Sequence, residues 1–225
     1  MCKFELQYNI MENDLGDYRK SYEKGALLET SISDNPMELF QKWFHEVDMH
    51  FQQDETNAMT ISTLGLDGYP KNRVVLLKKY TFEGFIFYTN YESEKGKAIT
   101  ANPNVCLSFH WAAAERQVII KGTAEKIADN LSDGYFESRP KGSQLGAIAS
   151  HQSTVIANRD VLEQKLKSLE SEYETKTIPR PEFWGGFMVK PIEIEFWQGR
   201  ANRLHDRIRY QLQADLSWKI ERLSP

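Results

Sequence analysis

Cationic, aromatic and imidazole side chains are concentrated in residues 195–210, EFWQGRANRLHDRIRY. The cations and the imidazole alternate along the chain, at Arg203, His205, Arg207 and Arg209. In an extended strand alternate side chains lie on one face, so the spacing predicts a row of these groups beside Trp197. Such a row favours a flat, anionic, aromatic ligand. The alternative is a solvated strand face next to a buried tryptophan, and this segment alone leaves both interpretations open.

Hydroxyls and cations occur together in two other segments, as they do in phosphate sites. The first segment contains Tyr88, Thr89, Ser93, Lys95 and Lys97, and a predicted helix N-terminus adds free backbone N–H groups there. The second contains Tyr135, Arg139, Lys141 and Ser143. Two separate clusters of this kind suit two phosphate groups, and neither requires a metal.

Other polar residues could extend these clusters. Arg73 and Lys78 flank RVVLLK, where each could reach an anion on one face of a strand; edge charges kept for solubility are the alternative. Gln152 and Ser153 add hydrogen-bond donors. Gln117 lies in a predicted strand, where its amide could bind the edge of a heterocycle or simply satisfy the backbone.

Composition argues against several classes of protein. The chain has 225 residues, of which 40% are hydrophobic, and its net charge of -4 argues against a general nucleic-acid binder. Cys2 and Cys106 form no disulfide framework or metal spacing, and the five histidines show no HExxH pair, so no metal site is expected. The polar N-terminus and the lack of a long apolar run predict a cytoplasmic protein without a membrane span.

Periodicity and turn signals predict the elements that position these residues. Residues 1–34 carry mixed charge and predict a loosely packed arm, whereas residues 35–225 predict one domain. Asn35 as N-cap, Pro36 at the first helical position and Glu38 in a capping box predict a helix at the start of that domain.

Beyond this helix the period changes to two, which predicts strands. Helices are predicted at residues 94–101, around residues 131–139 and from Asp160, and Gly142 is predicted to turn the chain tightly after Pro140. FWGGFMVK and IEIEFWQG are each predicted to form a strand. Many short strands with helices outside them favour a mainly β fold with α decorations, closed as a barrel of Greek key type.

Nine motifs of the chain, RVVLLK, FYTN, SEKGK, ERQV, YFESRPKGSQLGA, HQS, FWGG, EFWQG and RLHDR, occur in the order seen in the pyridoxine 5'-phosphate oxidases. The chain resembles that family over roughly residues 19–225. The resemblance implies an FMN-binding split β-barrel that works as a homodimer, with active sites at the subunit interface. It also implies oxidation of pyridoxine 5'-phosphate or pyridoxamine 5'-phosphate to pyridoxal 5'-phosphate, with O2 reduced to H2O2.

The resemblance also implies residue roles. FMN contacts are expected from Arg73, Lys78, Tyr88, Thr89, Lys95, Gln117, Gln152, Ser153, Trp197 and Arg207. The substrate phosphate is expected to bind Lys78, Tyr135, Arg139 and Ser143. Arg203 and His205 are expected to bracket the substrate ring as the catalytic residues. Arg19 and Tyr22 match an N-terminal lid that closes over the substrate.

Glu94 departs from the family pattern, because many relatives have an arginine at this position of SEKGK. Its carboxylate would repel a nearby FMN phosphate, unless it turns outward to pair with Lys97 or to interact with the helix dipole. Three alternative functions stay open: a split-barrel flavoprotein with another substrate, a non-catalytic carrier of FMN or pyridoxal phosphate, and a nucleic-acid-binding barrel. The second phosphate cluster argues against another substrate. The pair of Arg203 and His205 argues against a carrier, and the acidic net charge argues against a nucleic-acid binder.

Overall fold

The computed structural model of the chain describes residues 15–18 and 20–225. Nine strands form one sheet: β1 (Ala58–Leu64), β2 (Pro70–Leu76), β3 (Lys79–Thr81), β4 (Gly84–Asn90), β5 (Asn104–Trp111), β6 (Arg116–Lys126), β7 (Trp184–Gln198), β8 (Asp206–Leu212) and β9 (Trp218–Leu223). The helices of the described residues are α1 (Pro36–His50), α2 (Glu94–Ala101), α3 (Asp129–Ser138), α4 (Lys141–Ala149) and α5 (Asp160–Glu172). None of these helices is long and apolar enough to cross a membrane.

The sheet divides along β7. Its strand order is β2-β1-β5-β6-β7-β4-β3, and β8 joins β7 to β9. One edge of β7 pairs with β6, whereas the other edge is shared, with residues 184–189 pairing with β4 and residues 193–198 with β8. All of these pairs are antiparallel. The predicted mainly β split barrel is therefore confirmed.

The two strands predicted for FWGGFMVK and IEIEFWQG are one continuous strand, β7. Pro191 lacks the N–H that a regular ladder would use, which favoured an interruption. The structure accommodates it with a β-bulge in β7 itself: Gly122 of β6 pairs with Pro191 and the next residue, Lys121, pairs with Glu193, so Ile192 is the extra residue.

Helix α1 begins where the sequence predicts, and its cap differs in one detail. The Asn35 side chain accepts the Met37 N–H at 2.9 Å, and Pro36 is the first helical residue. The predicted capping box is wrong, because the Asn35 N–H donates to Ser33 Oγ and not to Glu38. The Ser33 hydroxyl donates to the Glu38 carboxylate instead.

The apolar face of α1 packs into the barrel. Phe40 is fully buried and meets Phe85 and Phe109 edge to face, with ring centroids 4.9 and 5.2 Å away. Aromatic pairs of this geometry contribute about 0.5–1.5 kcal/mol beyond the area that they bury. This packing fixes β4 and β5 against the helix, and β4 carries two of the predicted site residues.

The structure corrects one sequence expectation and refines another. Gly142 lies in the first turn of α4, a helix that the sequence analysis did not predict, so it makes no tight turn. Residues 20–34 are mostly exposed, but they are anchored at specific points: Leu27 is buried and donates its N–H to Asp206 Oδ2, and the Tyr210 hydroxyl donates to the Ser33 carbonyl. The rest of the predicted arm, residues 1–14 and 19, lies outside the described residues.

Candidate functional site

A groove of about 680 Å³ opens between the ends of β2 and β4, helices α3 and α4, and Trp184; we refer to it as the first groove. Eight of the residues singled out from the sequence line it: Lys78, Tyr88, Thr89, Lys95, Tyr135, Arg139, Ser143 and Gln152. Residues far apart in the chain are thus brought together, and the two hydroxyl-and-cation clusters share one cavity.

Three aromatic rings stack along one end of the first groove. Tyr88 and Tyr135 lie with centroids 3.9 Å apart, and Trp184 stacks on Tyr88 at 5.5 Å. The Arg139 guanidinium lies over the Trp184 ring at 4.7 Å. The sequence analysis gives Trp184 no role, although the Gly185-Gly186 pair that follows it indicates close packing at this point of the chain. A side chain at Gly186 would meet Tyr88 and Ile127 at under 3 Å, so only glycine allows this packing.

Arg139 is suited to an anion. Its Nη1 is buried and has no hydrogen-bond partner among the described residues. Burial lowers the pKa of Arg139 from its usual value, and the Tyr135 hydroxyl opposes this effect. An arginine nevertheless stays protonated in proteins, so this end of the groove holds a cation with unused donor capacity. Lys141, the other cation of this segment, instead donates to the Glu174 carbonyl.

The opposite end of the first groove is built around Lys95. Its Nζ donates to Thr89 Oγ1 at 3.1 Å and to Gln152 Oε1 at 2.9 Å. Burial lowers the pKa of Lys95, and the positive charge of Arg73 lowers it further. Ser93 caps α2 by accepting the Gly96 N–H, and Lys95 is the second residue of this helix, so the helix start lies beside the Lys95 cluster. Cations, hydroxyls and a helix N-terminus are the usual elements of a phosphate site.

Glu94 is paired inside this cluster. Its carboxylate forms ion pairs with Lys71 and Arg73, and the hydrogen bond from Lys71 lowers the pKa of Glu94. Of the alternatives open for Glu94, the structure therefore shows an ion pair, but with Lys71 and Arg73 in place of Lys97. The Glu94 N–H donates to the Ser153 hydroxyl at 3.2 Å, and Ser153 has a left-handed φ of 73°. Arg73 thus reaches the start of α2 with its charge already partly neutralised.

A second groove of about 890 Å³ lies elsewhere on the chain and shares no lining residue with the first. It is lined by Tyr18, Lys20, Ser21, Tyr22, Arg200, Asn202, Arg203 and His205. The Tyr22 ring meets Trp197 and His205 edge to face, with centroids 5.7 and 5.6 Å away. Arg19 was also predicted here and lies outside the described residues.

His205 is oriented by the backbone. Its Nδ1 accepts the Arg200 N–H at 3.1 Å, so in the neutral ring the proton is on Nε2. The ring also packs on Trp197, with centroids 4.7 Å apart. This leaves Nε2 as the atom that can donate to, or exchange a proton with, a bound molecule.

The predicted extended row of Arg203, His205, Arg207 and Arg209 is wrong at its start. Arg203 ends a 3-10 turn (Ala201–Arg203) and has a left-handed φ of 60°, and β8 begins at Asp206. The strand begins there because Gln198 of β7 pairs with Asp206, and the residues between them must reverse the chain. Strained backbone of this kind is common in binding sites.

Gln117, Trp197 and Arg207 line neither groove and form a row across three strands. Gln117 of β6 pairs with Trp197 of β7, which pairs with Arg207 of β8. They lie on the outer face of the sheet, because the neighbouring Phe196 is fully buried on the inner one. Arg207 also donates two hydrogen bonds to the carboxylate of Glu195, at 2.7 and 3.1 Å.

Two family models match the chain. The model for pyridoxamine 5'-phosphate oxidase matches residues 48–172, and the model for the C-terminal dimerisation region of pyridoxine 5'-phosphate oxidase matches residues 184–225. Together they span both grooves except for the N-terminal arm.

Two curated relatives with the same name match nearly the whole chain. The pyridoxine/pyridoxamine 5'-phosphate oxidase of Flavobacterium johnsoniae is 68% identical over 212 residues, which cover 94% of this chain and 99% of that protein. The protein of the same name from Christiangramia forsetii is 54% identical, over 96% of this chain and the whole of that protein.

Solved structures agree with this likeness. PhzG from Burkholderia lata 383, solved with tetrahydrophenazine-1-carboxylic acid, has a TM-score of 0.82 at 26% identity and covers 92% of this chain and 100% of that one. A pyridoxamine 5'-phosphate oxidase-related, FMN-binding protein from Nostoc punctiforme has a TM-score of 0.65 at 12% identity, over 87% of this chain and 100% of that one. The second likeness concerns the fold alone.

Proposed function

The chain belongs to the pyridoxine/pyridoxamine 5'-phosphate oxidase family, and on that premise we propose that it is an FMN-dependent oxidase of B6 vitamers. It oxidises pyridoxine 5'-phosphate and pyridoxamine 5'-phosphate to pyridoxal 5'-phosphate, and O2 is reduced to H2O2. We also propose a cytoplasmic location, because two cysteines without a disulfide framework are typical of a reducing compartment.

The observation that carries this proposal is the pair of cationic ends in the first groove. Arg139, with its buried and unpartnered Nη1, would hold the substrate phosphate together with Tyr135, Ser143 and Lys78. A flavoprotein acting on a substrate without phosphate would have no use for this cluster. The relative from Burkholderia lata, which was solved with a phenazine acid, is far less similar to this chain than the Flavobacterium protein is.

The residues at the other end of the groove fit the phosphate of FMN. Lys95 is a half-buried cation, Thr89 and Ser153 provide hydroxyls, Gln152 provides an amide, and α2 begins there. Arg73 would contribute from β2. The remaining proposed FMN contacts are Lys78, Tyr88, Gln117, Trp197 and Arg207. When bound, FMN supplies the two-electron redox chemistry, and the protein binds and orients both molecules.

Residues of the second groove would act on the substrate ring. Arg203 stays protonated, so it would hold the ring and stabilise negative charge that develops on it. His205 would donate from Nε2, since its Nδ1 is already bound to the backbone. Tyr22, with Arg19 of the same arm, would cover the bound substrate and exclude water.

We further propose that each active site combines the first groove of one subunit with the second groove of its partner. Two observations support this arrangement: the grooves share no lining residue, and residues 184–225 match a dimerisation region. A two-fold dimer would then contain two identical sites.

Mixed dimers provide the test of a shared site. Co-expression of Arg139→Ala and Arg203→Ala chains should produce dimers in which one site keeps both arginines. At low substrate concentration the mixture should therefore recover about a quarter of the unmodified activity, since about half of the dimers are mixed and each has one intact site. Activity no higher than the average of the two single variants would place both arginines in the same subunit's site.

Glu94 is expected to weaken FMN binding. Its carboxylate neutralises Arg73 and Lys71 and would lie near the FMN phosphate. Glu94→Gln should tighten FMN binding about fivefold, and Glu94→Arg somewhat more, because a repulsive charge is removed and Arg73 is released. Fluorescence titration of the apoprotein should show this gain at low salt, and the gain should shrink at high salt.

The control for this titration is Glu92→Gln, which removes an exposed carboxylate two residues earlier. Within residues 20–225 the structure gives Glu92 no ion pair with Lys71 or Arg73, so FMN affinity should not change. Equal FMN affinity in the Glu94 variants and the unmodified protein at low salt would show that Arg73 does not contact the phosphate.

The proposed function is tested by an oxygen-electrode assay on purified protein supplied with FMN. Addition of pyridoxine 5'-phosphate should start O2 consumption, with pyridoxal 5'-phosphate and H2O2 formed in equal amounts. Unphosphorylated pyridoxine should be a poor substrate. Tight binding of FMN without O2 consumption would instead favour a carrier.

A further inference from the structure

Glu115 is a buried carboxylate with an unusual backbone. It lies between a 3-10 turn (Ala112–Ala114) and β6, is 3% exposed, and has left-handed dihedral angles of φ 56° and ψ 39°. Left-handed backbone is uncommon for residues other than glycine, asparagine and aspartate, and it persists only where surrounding contacts hold it. The left-handed backbone of Glu115 is therefore held by the contacts of its side chain and its carbonyl group.

The side chain of Glu115 binds the N-terminal arm. Its Oε2 accepts the backbone N–H groups of Glu23 at 2.8 Å and Lys24 at 3.0 Å. Its Oε1 lies 3.3 Å from the Nζ of Lys20. Burial acts to raise the pKa of Glu115, but the hydrogen bonds from Lys24 and Glu23 outweigh it and the pKa lies below its usual value. The Glu115 carboxylate is thus ionised, and it anchors the arm by contacts to residues on both sides of Tyr22 in the chain: Lys20 before it, and Glu23 and Lys24 after it.

The backbone of Glu115 binds the segment that follows β7. Its carbonyl oxygen accepts the Gly199 N–H at 2.8 Å and the Gln198 Nε2–H at 3.1 Å. The Tyr22 ring lies directly over Gly199, where an added Cβ would stand 2.8 Å from Tyr22 Cγ. One residue therefore joins the arm that carries Tyr22 to the start of the segment that carries Arg203 and His205.

We propose that Glu115 is a positioning residue, which holds the arm so that Tyr22 stands against Trp197 and His205 at the wall of the second groove. The inference rests on the proposed function, in which Tyr22 and His205 contact the substrate. The role is local, because the arm has separate anchors further along: the Leu27 N–H donates to Asp206, and Ser33 accepts from Tyr210. Loss of Glu115 should therefore loosen residues 20–23 most, since Lys24 keeps the bond from its Nζ to the Ala113 carbonyl, and should leave the rest of the arm in place.

Steady-state kinetics of Glu115→Gln and Glu115→Ala should show this role. Glu115→Ala should raise the KM for pyridoxine 5'-phosphate about tenfold and change kcat less than about twofold, since the arm positions substrate and does not react with it. Glu115→Gln keeps the shape and one acceptor oxygen, so its KM should rise only about threefold. The control is Glu46→Gln. The Glu46 carboxylate forms an ion pair with Arg116, the residue that follows Glu115 in the chain, and no described contact joins Glu46 to the arm.

A purely structural role is distinguished by a double-variant cycle with Tyr22→Ala. If Glu115 acts through Tyr22, the KM of the double variant should equal that of Tyr22→Ala alone. Fully additive increases in KM, or an unchanged KM in Glu115→Ala, would overturn the proposal. If Glu115→Ala does not fold, the same cycle is carried out with Glu115→Gln.

Amide hydrogen exchange of the full-length holoprotein provides a readout that does not depend on activity. Peptides covering residues 20–25 should exchange faster in Glu115→Ala, whereas peptides covering residues 27–34 should not change. Unchanged exchange at residues 20–25 would overturn the anchor itself. Faster exchange in a protein whose unmodified form oxidises no pyridoxine 5'-phosphate would leave the anchor standing and contradict the proposed function.

Discussion

Arg203→Ala should lower kcat by about a hundredfold or more while FMN stays bound. Removing one donor that stabilises charge in a transition state typically costs about 10²–10³ in kcat. The structure supports this role because Arg203 lines the second groove together with His205 and has a left-handed backbone at the turn before β8. Anaerobic single-turnover kinetics would measure the chemical step directly.

Arg200→Ala is the matched control for this variant. Arg200 lines the same groove and carries the same charge, but its guanidinium is paired with Asp206 at 3.0 Å. The bond from its backbone N–H to His205 does not involve the side chain and should survive the substitution. We expect a small effect on kcat. Loss of flavin during purification of Arg203→Ala would instead place Arg203 in the cofactor site.

Arg139→Ala should raise the KM for pyridoxine 5'-phosphate about ten- to a hundredfold with little change in kcat. A hydrogen bond to a charged group contributes about 1.5–3 kcal/mol, and a phosphate distant from the reacting carbon binds alike in the ground and transition states. The buried Nη1 of Arg139 has no partner among the described residues, so its removal breaks no hydrogen bond there, and loss of the contact with Trp184 should lower stability by about 0.5–2 kcal/mol. Steady-state kinetics and thermal unfolding of the same preparation measure both effects.

Lys141→Ala is the control here, because Lys141 is a neighbouring cation that donates to the Glu174 carbonyl. Its KM should stay close to that of the unmodified protein. If Arg139→Ala leaves KM unchanged and abolishes kcat, then Arg139 contacts the reacting end of the substrate and the assignment of the two ends of the groove is wrong.

Local signals predicted much of the fold. The bounds of α2 follow from Ser93 as N-cap and from the Asn102-Pro103 stop, and α1 begins at Pro36 as expected. Helix α4 was missed because it starts immediately after Pro140 and contains two glycines, both of which are typical of turns. The continuity of β7 was missed because Pro191 is typical of a strand end, and the bulge at Ile192 that keeps the strand paired with β6 has no local signal.

The grouping of site residues was harder to predict, since it depends on contacts between distant segments. Nothing in the local sequence shows that Arg139 stacks on Trp184, or that Glu94 pairs with Lys71 and Arg73. The left-handed conformation of Arg203 also has no local signal, because its neighbours alternate as they would in a strand. The roles assigned to these residues stay predictions until variants are measured.

The central claim is that the protein binds FMN and uses it to oxidise a phosphorylated B6 vitamer. The most direct measurement is the visible absorption spectrum of the FMN-loaded protein during anaerobic titration with pyridoxine 5'-phosphate. We predict that the bands of the oxidised flavin bleach in proportion to added substrate, that pyridoxal 5'-phosphate forms, and that admitting O2 restores the bands. A protein that binds no flavin, or whose flavin bands do not change with excess substrate, would contradict the claim.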